Sequence, residues 1–199
     1  MDSQKKISLS FNSPVIITFT FLCFGVLILD ILSASRTTIS FFSVYRSSLA
    51  SPLTYLRFFT HVLGHADWNH LFGNITMLLV VGPLLEEKYG SADILLVILA
   101  TALVTGLVHF FFFPKVRLLG ASGVVFAFIL LSSITCSKAR KIPITFILVA
   151  VIYIGQQIYS AIFVVDNVSN LTHLIGGATG SILGYFMNKN RIPQNSESF

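Results

Sequence analysis

The chain has 199 residues, of which 54% are hydrophobic and 11% are charged, and its mean hydropathy is +0.83. This composition excludes an ordinary soluble domain. One bilayer crossing needs about 20 apolar residues, so about six crossings nearly use up the chain and leave no room for a soluble catalytic domain. The net charge of +5 comes from basic residues scattered at the ends of apolar segments, which indicates membrane topology and not nucleic-acid binding.

The hydropathy pattern predicts an all-α polytopic membrane protein with six transmembrane helices. The predicted spans are 13–34, 69–86, 92–113, 121–136, 143–164 and 169–187. Residues 1–12 and 188–199 are predicted to be short polar tails. The connection 35–68 is too rich in aromatic and apolar residues for a free linker, and we expect it to lie in the membrane interface.

The positions of the basic residues predict the orientation. Of the 13 Lys and Arg residues, eight lie on the side of the N-terminus and five lie on the opposite side, between spans one and two or three and four. Cytoplasmic loops carry the excess of Lys and Arg, so we expect both termini in the cytoplasm.

Polar residues occur near the start of the three spans that should enter the membrane from the same, extracytoplasmic side. His70 and Asn74 lie in span two, Ser122 in span four and His173 in span six. Polar side chains in hydrocarbon are costly and are usually retained for function. A serine and a histidine at one depth suggest an activated nucleophile that opens to the extracytoplasmic side.

Ser122 lies between Gly120 and Gly123 where a polar loop gives way to a helix. Backbone N–H groups and the positive end of the helix dipole at such a position stabilise a developing oxyanion. Two structural alternatives remain open from this run alone: a serine N-cap, or a small-residue contact between helices.

His173 begins a series of small residues on one helical face that includes Gly176 and Gly180. Glycines at four-residue intervals allow another helix to approach closely. Approach of span four would bring His173 within hydrogen-bonding distance of Ser122, where the imidazole acts as general base and then as general acid. Taken alone, a histidine at this depth is better explained as a satisfied polar residue, and the glycine face shifts the interpretation towards a base.

His70 and Asn74 are four residues apart and therefore share one face of span two. Both side chains donate hydrogen bonds, as a tetrahedral oxyanion requires, although interhelical hydrogen bonding would also explain them. The histidines at 61, 65 and 70 lack the His-Glu-x-x-His spacing of a zinc protease, so we predict no metal and no other cofactor.

Together these residues resemble the rhomboid family of intramembrane serine proteases. The run from Arg57 through His61 and His65 to His70 and Asn74 resembles the first loop and second helix of that family. Gly-Ala-Ser-Gly at 120–123 is similar to its Gly-x-Ser-Gly motif, and the run from His173 through Gly176 to Gly180 is similar to its histidine helix.

The resemblance implies a role for each matching residue. Ser122 would be the nucleophile and His173 the base of a dyad without a third acid, and the oxyanion hole would be formed by His70, Asn74 and the Ser122 amide. Arg57, His61, His65 and Glu86 match positions that support the structure. The resemblance also implies that residues 35–68 form a hairpin-like loop in the outer leaflet and that span five controls substrate access.

The chain departs from the family at Phe126, where many bacterial members have a tyrosine beneath the histidine. The ring remains while the hydroxyl is lost, so we expect stacking to maintain the orientation of His173.

These observations predict an intramembrane serine endopeptidase whose partners are transmembrane protein substrates and the lipid bilayer. One alternative is a non-catalytic rhomboid-like protein that binds transmembrane helices, but such relatives typically lack the serine or the histidine. The other is a small channel or carrier, against which the lower halves of spans two and four are almost wholly apolar. The bare six-helix form suggests a prokaryotic inner membrane.

Overall fold

The computed structural model describes residues 12–135 and 167–191, together with residues 144, 147, 148, 151, 152 and 155. Its principal helices are α1 (Pro14–Leu32), α2 (Arg36–Phe41), α3 (Pro52–Thr60), α4 (Trp68–Tyr89), α5 (Ser91–Phe112), α6 (Ser122–Thr135) and α7 (Asn167–Arg191), with a 3₁₀ turn at His61–Leu63. The described ranges contain one isolated β-bridge and no strand. The predicted all-α class is therefore confirmed for the part of the chain described.

Three helices, α1, α4 and α5, are long and apolar enough to cross a membrane. Their outward faces expose large apolar side chains, as expected of helices in contact with lipid; examples are Phe21, Leu22, Leu32, Phe72, Val80, Leu84, Leu96 and Phe112. Among the described residues, α6 is a shorter apolar helix, and α7 does not meet the same criteria. The predicted fifth span, 143–164, lies almost wholly outside the described residues, so the count of six spans stays a prediction.

The core lies where α1, α4, α5 and α6 meet, and it is built from aliphatic residues with few aromatic ones. A second, smaller cluster of Val44, Phe58, Phe110 and Leu118 joins the connection to the end of α5 and to the loop before α6. This cluster places the connection on the same side of the bundle as the start of α6.

The boundary between α4 and α5 differs from the prediction. Span two was expected to end at residue 86, but α4 continues to Tyr89. Gly90, with φ of +86°, ends α4 and directly precedes α5. Hydropathy placed the end too early because Glu87 and Lys88 are charged, whereas the helix ends at the residue that adopts positive φ.

The connection between α1 and α4 is compact and partly helical. The buried residues of α3 include Thr54, Arg57 and Phe58, while Leu53 and Tyr55 on its other face are exposed. An exposed apolar face on a short helix outside the spans supports the predicted position in the membrane interface.

Candidate active site

The turn that precedes α6 depends on Gly120. This residue has φ of +119°, and its N–H donates to the carbonyl of His61 at 3.0 Å. A Cβ at Gly120 would lie 2.7 Å from Cε1 and Nε2 of His70. Glycine is therefore required for two reasons, the backbone conformation and the approach of the His70 ring. Ser122 follows as the first residue of α6.

The predicted glycine face of α7 packs against α6. A Cβ at Gly176 would lie 2.8 Å from the Cα of Gly123, and a Cβ at Gly180 would overlap the backbone of Ala127. Gly184 continues the contact against Leu131. The two backbones are thus as close as glycine permits, because any side chain at Gly176 or Gly180 would have to displace α6.

One cavity of about 640 Å³ brings the predicted chemistry together. It lies between α4, α6, the start of α7 and the loop before α6. Its described lining residues are Ala66, Asn69, His70, Gly73, Asn74, Met77, Val116, Arg117, Leu118, Leu119, Ser122, Val125, Phe126, Ile129, Thr172 and His173. All five residues predicted for the dyad, the oxyanion hole and the ring beneath the histidine therefore line the same cavity.

The ring of Phe126 lies next to His173, with 4.6 Å between the ring centroids. The two ring planes make an angle of 42°, so the contact is tilted, whereas the sequence led us to expect a stacked pair. It follows from spacing on α6, where Phe126 lies one turn below Ser122 on the same face.

His70 is oriented by residues that precede α4. The Asp67 side chain caps this helix by accepting the His70 N–H at 2.8 Å. The Ala66 N–H donates to Nδ1 of the His70 ring at 3.5 Å, which assigns the proton to Nε2 in the neutral tautomer. The Nε2–H then lies on the side of Gly120, where an oxyanion donor is needed. The His65 ring packs edge-on at 5.0 Å between centroids.

Asn74 has a buried side chain whose Nδ2 has no hydrogen-bond acceptor among the described residues. A Cβ at Gly120 would lie 3.8 Å from this Nδ2, so the amide faces the turn before Ser122. Buried donors are nearly always paired, and an unpaired one next to a cavity is a group available to a ligand. The arrangement suits a donor to a developing oxyanion.

The residues predicted to support the structure contact backbone atoms. Arg57 donates from Nε to the carbonyl of Ser40 at 2.8 Å, and its guanidinium lies 4.4 Å from the centre of the Tyr45 ring. The Nε2 of His61 is 3.0 Å from the Ala102 carbonyl, and the Nδ1 of His65 is 3.2 Å from the Leu63 carbonyl. Burial lowers the pKa of His61 to about 4, and burial followed by the neighbouring His70 lowers the pKa of His65 to about 4.

Glu86 lies at the opposite end of α4 from the cavity. Its two carboxylate oxygens accept the N–H groups of Val15 and Ile16 at 3.0 Å, and the Ser91 hydroxyl donates to one of them at 2.7 Å. The carboxylate thereby caps α1 from another helix, because Ser13 makes no side-chain cap.

The sequence did not identify three residues that hold the loop before α6. Val44 and Leu118 exchange two backbone hydrogen bonds of 2.9 Å, which join the connection to this loop. The Nε2 of His109, near the end of α5, is 3.0 Å from the Val116 carbonyl. Asp67 was also missed, although an aspartate directly before an apolar segment is a recognisable N-cap signal. The Val44 pairing has no such local signal.

In the part of the chain described, no three His, Cys, Asp or Glu residues converge in a way that would hold a metal ion. The expectation that the reaction uses no metal stays a prediction.

These features define the class of an integral membrane protein of apolar helices, with a cavity near one end of the bundle that several polar side chains line. Residues 52–190 match the family model of the Rhomboid domain. The chain belongs to the rhomboid family, and the resemblance seen in its motifs is thereby confirmed.

Several curated proteins are similar to this chain. Rhomboid-related protein 2 of Mus musculus is 32% identical over 157 residues, which cover 69% of this chain and 52% of the relative. Rhomboid-like protein 11, chloroplastic, of Arabidopsis thaliana is 31% identical over 131 residues, covering 64% and 42%. Rhomboid protease GluP of Bacillus subtilis (strain 168) is 28% identical over 174 residues, covering 83% and 34%.

The chain spans about half or less of the length of these relatives. The relatives come from an animal, a plant and a bacterium, so the similarity does not favour the prokaryotic inner membrane expected from the sequence.

Proposed function

We propose that this protein is an intramembrane serine endopeptidase that cleaves transmembrane segments of other membrane proteins. The observation that carries the proposal is that Ser122, His173, His70 and Asn74 line the same cavity. A reactive serine, an imidazole and two hydrogen-bond donors around one space are the groups that acyl transfer needs.

In the proposed reaction, Oγ of Ser122 attacks the carbonyl carbon of the scissile peptide while His173 takes the hydroxyl proton. The carbonyl oxygen becomes an oxyanion, which accepts hydrogen bonds from Nε2 of His70, Nδ2 of Asn74 and the Ser122 backbone N–H. His173 then donates its proton to the leaving amine, and the C–N bond breaks. Water, deprotonated by His173, hydrolyses the acyl-enzyme and restores Ser122.

Two features of the site favour this sequence of steps. Nδ2 of Asn74 has no acceptor among the described residues and borders the cavity, so it is available to donate to an oxyanion. The glycine contacts between α6 and α7 restrict the relative movement of Ser122 and His173, because neither backbone can approach further.

The test is cleavage of a tagged model transmembrane substrate by the purified chain in detergent. Ser122→Ala and His173→Ala should each abolish cleavage while keeping the melting temperature of the wild type. Ser132→Ala is the matched control, since Ser132 is also on α6 but its hydroxyl donates to the Ile129 carbonyl and does not line the cavity. Cleavage that survives Ser122→Ala would refute the mechanism.

A second outcome would favour the non-catalytic alternative. If the wild type cleaves nothing and a fluorophosphonate does not label Ser122, the protein is better explained as a rhomboid-like protein that binds transmembrane helices. Labelling that is present in the wild type and absent in Ser122→Ala would argue against this alternative, even if the model substrate were unsuitable and no cleavage were seen.

The orientation also belongs to the proposal. The excess of Lys and Arg favours cytoplasmic termini, and the cavity then opens to the extracytoplasmic side. A membrane-impermeant thiol reagent tests this with single cysteines placed at Lys115 and Lys88, on opposite sides of the bundle. Labelling from outside at position 115 and not at position 88 is expected, and the reverse would invert the orientation.

A further inference from the structure

Arg117 is a cavity residue that the proposed chemistry does not use. It lies in the loop before α6, is exposed, and lines the same cavity as Ser122. The other titratable residues of the described lining are His70 and His173, and this lining contains no Asp or Glu. The lining therefore carries the permanent positive charge of Arg117 and no carboxylate, and the carboxylate of Asp67 beside His70 is already engaged in capping α4.

The backbone on both sides of Arg117 is held in place. The Val116 carbonyl is 3.0 Å from Nε2 of His109, and Leu118 exchanges two hydrogen bonds of 2.9 Å with Val44. A charged side chain that starts from a fixed backbone loses less conformational freedom when it binds a partner.

The guanidinium of Arg117 lies 5.6 Å from the centre of the Tyr45 ring, and that of Arg57 lies 4.4 Å from the same ring. The ring thus contacts both guanidinium groups, and Arg57, although buried and outside the cavity lining, adds positive charge next to Arg117. A guanidinium pairs well with a carboxylate through two parallel hydrogen bonds. The chemistry that fits this exposed guanidinium is therefore an anionic side chain supplied by a substrate.

We propose that Arg117 is a specificity-determining residue that favours substrates with an Asp or Glu beside the scissile bond. The favoured acidic residue lies on the side of the scissile bond where the substrate leaves the cavity along the loop before α6. This inference rests on the proposed function, because it assigns a substrate class to the same site. It adds a charge preference to the expectation that transmembrane segments are cleaved.

The experiment uses the full chain in a neutral detergent at low ionic strength. The starting substrate is tagged and has uncharged residues on both sides of the scissile bond. Each flanking position is then replaced, one position at a time, by Asp, Asn or Lys. The wild type should cleave the best Asp substrate with a kcat/KM about fivefold above that of the Asn substrate, and the Lys substrate should be slower. Added salt should reduce the difference.

Variants of the enzyme assign the preference to its residue. Arg117→Gln should make the Asp and Asn substrates equivalent, and Arg117→Glu should favour the Lys substrate instead. Lys115→Gln is the matched control, since Lys115 is an exposed cation of the same loop that does not line the cavity, and it should keep the preference for Asp.

The outcomes separate this inference from the proposed function. If the wild type cleaves the Asn substrate but shows no preference for Asp at any flank position, the inference is wrong and the protease proposal stands. A preference that survives Arg117→Gln, or disappears in Lys115→Gln, also overturns it. If the wild type cleaves none of the three substrates, the proposed function fails and the inference fails with it.

Discussion

Two regions hold the cavity together, and they do so by different means. The contact between α6 and α7 consists of backbone against backbone, with Gly176 over Gly123 and Gly180 over Ala127. The connection between α1 and α4 is held by polar side chains that bind main-chain carbonyls, as Arg57 binds Ser40 and His61 binds Ala102.

The difference follows from the surroundings of each region. Helices within lipid gain little from burying apolar groups against one another, so close packing of small residues supplies the attraction. A compact connection outside the spans has many backbone groups that its short helices leave unpaired, and buried donors satisfy them. Tolerance to substitution should therefore differ: the helix contact is sensitive to added volume, and the connection is sensitive to lost donors.

The largest effect should come from adding volume to the helix contact. Gly176→Val places a side chain where the Gly123 backbone lies, so α6 and α7 must separate and carry Ser122 away from His173. We expect cleavage to fall by about a hundredfold or more. Ala178→Val introduces the same side chain on an exposed face of α7 and should keep most of the activity. Near-normal cleavage by Gly176→Val would contradict the close contact.

The next effect should come from removing a donor from the connection. Arg57→Ala leaves the Ser40 carbonyl unpaired and removes the contact with Tyr45, which should cost about 2–4 kcal/mol of unfolding free energy. The comparison is Arg46→Ala, because Arg46 is exposed although it also donates to a carbonyl, that of Phe110. Equal losses in chemical denaturation would show that burial of the arginine is unimportant.

Acid should weaken the connection before it affects the helix contact. The pKa of His61 is about 4 in the folded protein and has an ordinary value of 6.5, so between these values the unfolded chain binds a proton that the folded chain does not. The contribution of neutral, buried His61 to the unfolding free energy is fully present well above pH 6.5 and is lost as the pH falls towards 4. His61 alone should account for a loss of about 1.4 kcal/mol at pH 5.5 relative to pH 7.5, and His65 should add a loss of its own.

Denaturation at several pH values measures this loss. His61→Gln should be less stable at neutral pH but should show a shallower decline on acidification. An unchanged slope in that variant would assign the acid sensitivity to another group, with His65 as the next to test, since its pKa is also lowered to about 4.

The smallest effect concerns the ring beneath the histidine. Phe126→Leu removes the aromatic contact at 4.6 Å from His173 and should lower kcat about threefold to tenfold with little change in KM. Phe126→Tyr keeps the ring and should remain within about twofold of the wild type. A wild-type kcat for Phe126→Leu would mean that the tilted contact does not orient the imidazole.

Periodicity and motif spacing predicted the helix contact well. Gly176 and Gly180 recur at the interval of a helical turn, and a face of glycines has few uses other than close approach. His70 and Asn74 were placed on one face by the same reasoning, and both line the cavity. Local spacing was sufficient because the direction of each of these side chains is set by its position along its own helix.

Long-range partners were beyond the sequence. The pairing of Val44 with Leu118 joins residues without any distinctive pattern, and the contact of Glu86 with Val15 spans 71 positions. Glu86 was placed among supporting residues by family resemblance, but its partners in α1 were not named. The capping of α4 by Asp67 is different, because it is a local contact whose N-cap signal was present in the sequence but was not used.

The contact of Glu86 with α1 has a consequence for the start of α1 during synthesis of the chain. Helix α1 emerges with the N–H groups of Val15 and Ile16 unpaired, and the acceptor for both is synthesised 70 residues or more later. Until α4 arrives, these groups must be hydrated at the membrane surface. Docking of α1 onto α4 thus exchanges water for a carboxylate at these two groups, and a chain truncated before Glu86 would leave the start of α1 without this acceptor.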